Sequence, residues 1–71
     1  MIRLKVKEIA RQKHISQQRL ALISEVGLST IQSIYQRPTE TNITLFTLDK
    51  IAIALGVDPS ELIEGVYEDE R

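Results

Sequence analysis

The segment 28–36, with the sequence LSTIQSIYQ, carries the side chains of this chain that are best suited to specific chemistry. At helical spacing, one face of the segment is uncharged throughout. The residues of that face are Leu28, Ser29, Gln32, Ser33 and Gln36. A glutamine amide can bind adenine through two hydrogen bonds, a serine hydroxyl can bind several bases, and leucine can contact a thymine methyl group. The face is therefore typical of contact with base edges, and the alternative is a polar surface that contacts only solvent.

The charges of the chain are divided between its two halves, although the formal net charge is only −1. Seven basic and two acidic residues give residues 1–37 a net charge of +5, whereas two basic and eight acidic residues give residues 38–71 a net charge of −6. Unless the segregation arose by chance, it indicates one surface for an anionic partner. Arg19 and Arg37 bracket the uncharged face in sequence, so we predict that they bind phosphate groups. Further candidates for phosphate contacts are Arg11 and Lys13.

The remaining composition argues against an enzyme and against a bound metal or cofactor. The 71 residues include no cysteine and one histidine, and they contain no glycine-rich phosphate loop. The lone His14 stands at a predicted helix end, where we expect it to interact with terminal carbonyl groups. No apolar stretch has the length of a signal peptide or of a membrane-spanning helix, so we expect one cytoplasmic domain.

Apolar periodicity and helix-start signals predict five helices in one small all-α domain. Their ranges are about 6–13, 17–24, 28–36, 45–55 and 59–64. Four of them follow residues that are favoured or accepted as N-caps, namely Ser16, Gly27, Thr44 (or Thr47) and Asp58. Residues 2–6 alternate between apolar and charged, which is a strand pattern. Val66 and Tyr67 could pair with them as a small two-stranded sheet.

The helices predicted over 17–24 and 28–36 are each too short to be stable alone, since isolated helices below about 12 residues are marginal in water. They share one core through apolar positions, which are Leu20, Ala21, Ile23, Ile31 and Ile34. Two such helices joined by a tight turn are typical of a helix-turn-helix, which presents the second helix to a DNA major groove. A left-handed Glu25 in the turn would cost about 1 kcal/mol, unless Gly27 takes the unusual dihedral angles instead.

These residues resemble the phage-repressor (Cro-like or XRE-type) helix-turn-helix family over nearly the whole chain. The resemblance rests on Ser16-Gln17, Leu20-Ala21, Val26, Ser29-Thr30-Ile31, Ile34 and the segment TLDKIAIALGVDPSELI from Thr47. It implies a compact five-helix lambda-repressor-like domain with a recognition helix over 28–36. It also implies a transcriptional regulator that binds double-stranded DNA in a sequence-specific way.

The resemblance adds residues outside the uncharged face to the predicted DNA contacts. In this family, the glutamine that corresponds to Gln17 contacts the DNA backbone and braces a side chain of the recognition helix. Gln18 belongs to the same predicted set, and Thr30 is expected to contact phosphate or to pack. Relatives often carry basic residues in the loop after the recognition helix, whereas residues 38–42 here contain one acid and no base.

A domain of this size contacts few phosphate groups as a monomer, so we expect a homodimer on a pseudo-palindromic operator, with recognition helices about 34 Å apart. The predicted dimer surface combines the helix over 59–64 with Ile43, Phe46 and Ile63. We expect no membrane partner. The alternative function is a protein-interaction module that keeps the fold but does not bind DNA, which the acidic half of the chain and the loop without basic residues favour.

Overall fold

Residues 1–66 are described by a computed structural model, in which four α-helices and a two-stranded sheet enclose one apolar core. In chain order, the elements are β1 (Ile2–Leu4), α1 (Val6–Gln12), α2 (Gln17–Ser24), α3 (Leu28–Gln36), α4 (Leu45–Leu55), the 3-10 helix η1 (Pro59–Leu62) and β2 (Ile63–Gly65). The bounds of α2, α3 and α4 coincide with the ranges expected from the sequence. α1 ends one residue earlier than expected.

Side chains that bind free backbone amides explain where α2 and α4 begin. The Ser16 hydroxyl accepts a hydrogen bond from the Arg19 amide at 3.1 Å and begins α2. The Thr44 hydroxyl accepts one from the Thr47 amide at 3.1 Å and begins α4. Each of these amides lies in a first turn and has no acceptor within its own helix. The polar residue before each apolar run therefore fixes the helix start.

The expectation of a fifth α-helix over 59–64 is wrong. Pro59–Leu62 instead form a short 3-10 helix, begun by Asp58, whose carboxylate accepts a hydrogen bond from the Ser60 amide at 3.0 Å. The backbone then becomes extended at Ile63, with φ −127° and ψ 151°, because Ile63 and the two residues after it pair with β1. Strand pairing thus ends the helix within its first turns.

The small sheet joins the two ends of the described chain. β1 and β2 are antiparallel, with Arg3 opposite Glu64. A terminal sheet was expected, but its second strand was predicted at Val66 and Tyr67 and lies earlier in the chain. Val66 extends the pairing through its amide, which donates to the Met1 carbonyl at 2.7 Å, and through its carbonyl oxygen, which accepts from the Met1 amino group at 2.9 Å. Tyr67 lies outside the described residues.

Apolar residues from β1 and from every helix of the described part form the core. The largest of those that are fully buried are Val6, Leu20, Ile31, Ile34, Ile51 and Leu62. The expected core positions of α3, Ile31 and Ile34, are buried, but Ile23 of α2 is 40% exposed. Leu20 and Ser24 define the inward side of α2, so Ile23 lies at the edge of the buried stripe.

Arg3 ties β1 to both α1 and β2. Its guanidinium donates to Glu64 of β2 at 2.9 Å and to Glu8 of α1 at 2.7 Å. Burial by itself raises the pKa of Glu8. The hydrogen bond from Arg3 and one from the backbone of Glu8 outweigh burial, so the pKa lies below its ordinary value of 4.5. Arg3 therefore serves the fold and is engaged on both sides by carboxylates.

We expect Glu8→Gln to lower the free energy of unfolding at neutral pH by up to about 1 kcal/mol, because it removes the charge from a partly exposed ion pair. Since folding lowers the pKa of Glu8, this contribution is present above pH 4.5 and is lost as the pH falls through the folded-state pKa. Thermal unfolding of both proteins from neutral to acidic pH measures it. Equal melting temperatures at neutral pH, or a difference that persists at the most acidic pH, would contradict this expectation.

Candidate nucleic-acid interface

The turn between α2 and α3 is built on Glu25, whose backbone is left-handed with φ 61° and ψ 27°. Gly27 has φ −55° and ψ 141° and is the N-cap of α3. Of the two alternatives that the sequence left open, Glu25 therefore takes the unusual dihedral angles. Because this conformation costs about 1 kcal/mol in a residue with a Cβ, other contacts must hold the turn.

Ser24 supplies one of these contacts, which was not predicted from the sequence. Its buried hydroxyl donates to the Leu20 carbonyl at 2.5 Å and accepts from the Val26 amide at 3.3 Å. One oxygen thus closes the last turn of α2 and also fixes the residue that follows Glu25. The available signal was a serine at the end of a helix, since such hydroxyls commonly bind the carbonyl four residues earlier.

α3 has a buried side and an uncharged exposed side. Ile31 and Ile34 are almost completely buried in the core. Ser33 is half-buried, and so is Thr30. The exposed members of the predicted face are Leu28, Ser29, Gln32 and Gln36. The structure therefore brings four of the five predicted residues onto one accessible helix surface and places the fifth at its margin.

Thr41, in the loop after α3, holds the end of that helix. Its hydroxyl lies 2.9 Å from the Ser33 carbonyl oxygen and 2.8 Å from the Arg37 carbonyl oxygen. The Arg37 guanidinium turns back along the helix, with Nη2 3.5 Å from Ser33 Oγ. These contacts fix the last turn of α3 and hold a positive charge beside the uncharged face. Thr41 was not predicted from the sequence, because a side chain that bonds across a loop leaves no periodic signal.

The start of α2 presents polar side chains on the same helix-turn-helix. Gln18 and Arg19 are exposed, and Gln17 is half-buried. The Ser16 cap sets their position by fixing the first turn. Gln17 was expected to brace a side chain of α3, but its side chain makes no hydrogen bond within residues 1–66.

The salt bridges distinguish Arg3, which is bound to two carboxylates, from basic residues whose charges are free to bind a partner. Both salt bridges in the described part of the chain involve Arg3. The exposed basic residues of the first half that form no salt bridge within residues 1–66 are Arg11, Lys13, Arg19 and Arg37. Glu40, which is also exposed, brings negative charge to the loop that follows α3. Arg11 and Lys13 lie at the end of α1, whereas Arg19 lies in α2 and Arg37 directly follows α3.

The described residues offer neither a metal centre nor a membrane span. No three His, Cys, Asp or Glu side chains in residues 1–66 are grouped so that they could hold a metal ion. None of the helices in that range has the length and apolar character needed to cross a bilayer.

A model of the Cro/C1-type HTH DNA-binding domain family matches residues 5–68 of this sequence. The match covers nearly the whole chain, including all four α-helices and the turn between α2 and α3. It confirms the resemblance that the sequence motifs indicated. No curated protein matches the sequence at a significant level.

We expect Glu25→Gly to leave the free energy of unfolding unchanged or to raise it by up to about 1 kcal/mol, because glycine adopts a positive φ without strain. Glu25→Ala is the matched control, since it removes the same carboxylate but keeps the Cβ, and it should gain nothing. Urea unfolding of the three proteins measures the difference. A clear loss of stability in Glu25→Gly, or an equal gain in Glu25→Ala, would show that backbone strain does not limit this turn.

Proposed function

Because this chain belongs to the Cro/C1-type HTH DNA-binding domain family, we propose that it is a sequence-specific regulator of transcription that reads double-stranded DNA with α3. In this function, α3 enters the major groove and α2 crosses the backbone above it. Two copies act together on a pseudo-palindromic operator, with one recognition helix in each half-site.

The observation that carries this proposal is the exposed, uncharged face of α3, with Arg37 beside its end and Arg19 on the preceding helix. Charged side chains are tolerated on a surface that contacts only solvent. On a surface that contacts base edges they are unfavourable, because a charge left without a partner in the groove loses its hydration. The basic residues nearby supply the sequence-independent attraction to phosphate.

The exposed side chains of α3 can each recognise different groups on the base edges. Gln32 and Gln36 lie one helical turn apart and can each bind an adenine edge. Ser29 and Ser33 can bind several bases, so they contribute less to sequence specificity. Leu28, at the start of the helix, can contact a thymine methyl group.

The proposed contacts to the DNA backbone hold α3 in position and do not depend on the base sequence. Arg19 and Arg37 bind phosphate groups through their guanidinium groups, and Gln17 and Gln18 contact the backbone at the start of α2. Since Thr30 is half-buried, we propose that it packs within the domain beneath the interface or binds one phosphate oxygen.

The proposed homodimer needs an apolar surface away from α3. The sequence suggested η1 with Ile43, Phe46 and Ile63. Ile43 and Ile63 line a cavity of about 230 Å³ between the sheet and the start of α4, whereas Phe46 lies outside that lining. Two apolar surfaces in the described part of the chain are therefore available for a second copy.

Selection from a pool of random duplex DNA at moderate salt, followed by sequencing of the bound fraction, tests the proposed function. Enrichment of a two-fold symmetric site supports a dimeric regulator and supplies its operator. Enrichment of a single half-site supports reading by α3 but contradicts the dimer. No enrichment, with no retention even at low salt, overturns the proposal and favours a protein-interaction module, which the loop without basic residues would suit.

We expect Gln32→Ala to weaken binding to the selected site by about 1–3 kcal/mol and to leave binding to random DNA almost unchanged, because only the preferred site offers the matching base. Arg19→Ala should weaken both about equally and reduce the salt dependence of binding. Fluorescence anisotropy at several salt concentrations measures these effects. Gln12→Ala, at an exposed glutamine of α1, is the control. Equal losses from Gln32→Ala on both DNAs would remove α3 as the reading helix.

A further inference from the structure

α4 carries three large apolar side chains that do not belong to the core. Leu45 is 83% exposed and lines the cavity beside β1, whereas Phe46, 82% exposed, and Ile53, 71% exposed, lie outside that lining. The inward face of the same helix is already complete with Leu48, Ile51, Ala52 and Leu55. Single exposed apolar residues are common on protein surfaces. What distinguishes Phe46 and Ile53 is the arrangement of charged residues on either side of them.

Phe46 and Ile53 are seven residues apart, so they lie almost directly above one another on the helix. Asp49 and Lys50 lie between them along the chain, and both are exposed. At about 100° per residue, Asp49 flanks the apolar line by about 50° on one side and Lys50 by about 50° on the other. We call these four residues the α4 stripe. Within residues 1–66, neither of its charges takes part in a salt bridge.

We propose that the α4 stripe binds the α4 stripe of a second copy of this chain about a two-fold axis parallel to the helices. Rotation about that axis places Phe46 against Phe46 and Ile53 against Ile53. It also brings the acidic flank of each helix to the basic flank of the other, so Asp49 of each copy faces Lys50 of the second copy. This reciprocity is what a two-fold interface requires. The inference rests on the proposed homodimer and names its contact surface.

The two charges select the parallel arrangement and a second copy as the occupant. In an antiparallel pair, the two-fold axis would run across the helices and would bring acidic flank to acidic flank and basic flank to basic flank. Like charges placed opposite each other are unfavourable. The cavity beside β1 carries no comparable information, since all its lining residues are uncharged. Nothing there distinguishes a second copy from another apolar partner.

The α4 stripe is small, so the contact is weak in the absence of DNA. A buried aromatic side chain removes about 150–250 Å² from water, so four apolar side chains fall short of the roughly 1,200 Å² of a stable interface. We therefore expect a dissociation constant on the order of 100 µM, as in weak and transient contacts.

Charge exchange within the α4 stripe tests the proposal by sedimentation equilibrium without DNA. Asp49→Lys makes both flanks basic and Lys50→Asp makes both acidic, so each variant alone should dimerise about tenfold more weakly than the wild type. An equimolar mixture of the two variants should recover the dimer as a heterodimer. The double variant Asp49→Lys/Lys50→Asp should recover it as a homodimer. Recovery in either case cannot come from a damaged fold.

Variants at apolar residues locate the contact independently of the charges. Phe46→Ser should weaken the dimer about tenfold, whereas Leu22→Ser, at another exposed apolar residue, should not. If Ile63→Ser disrupts the dimer and the charge exchanges do not, the contact lies at the cavity beside β1 and the α4 proposal is wrong. A wild-type protein that stays monomeric at millimolar concentration, both free and on a selected site, also overturns it.

Failure of this proposal is distinguishable from failure of the proposed function. DNA retention at low salt is measured separately for the wild type and for the double variant. If the wild type binds no DNA, the proposed function as a regulator is wrong, whatever the oligomeric state of the protein. A dimer on a selected symmetric site that is insensitive to charge exchange overturns the α4 contact and leaves the regulator intact.

Discussion

The position of α3 depends on burial that it shares with the rest of the domain. α2 has eight residues and α3 has nine, and neither length is stable as an isolated helix in water. Leu20, Ile31 and Ile34 are buried together with residues of α1 and α4, so the two short helices exist only as parts of one core. Because each has a single apolar stripe to bury, their relative orientation is fixed as well. The outer face of α3 is left free of packing demands and can consist of residues suited to another partner.

Local signals explain why α2, α3 and α4 could be located from the sequence. Ser16 and Thr44 bind amides within their own first turns, so the helix starts are determined by neighbouring residues. The apolar spacing of α4 then predicts its buried side. The uncharged face of α3 follows from the same periodicity, which is why four of its five predicted residues are exposed.

The features that could not be predicted depend on contacts that leave no periodic pattern in the sequence, either between distant parts of the chain or within its turns and loops. Ile63 leaves the helical conformation because β2 pairs with a strand at the other end of the described residues. Thr41 holds α3 from the following loop, and Arg3 binds carboxylates on two other elements. The left-handed Glu25 was one of two alternatives, and the buried hydroxyl of Ser24 beside it shows how the turn is held despite the strain.

The charge distribution limits how strongly one copy can bind DNA. Arg19 and Arg37 are exposed on the helix-turn-helix, but Glu40 is exposed in the next loop, so under the proposed function few phosphate contacts would contribute salt-dependent affinity. A second copy held through α4 would raise the effective concentration of a second reading helix once the first is bound. A weak contact is sufficient for this purpose, because the dimer is then completed on the operator. Occupancy would rise steeply with protein concentration, so the abundance of the protein becomes the quantity to which such a regulator responds.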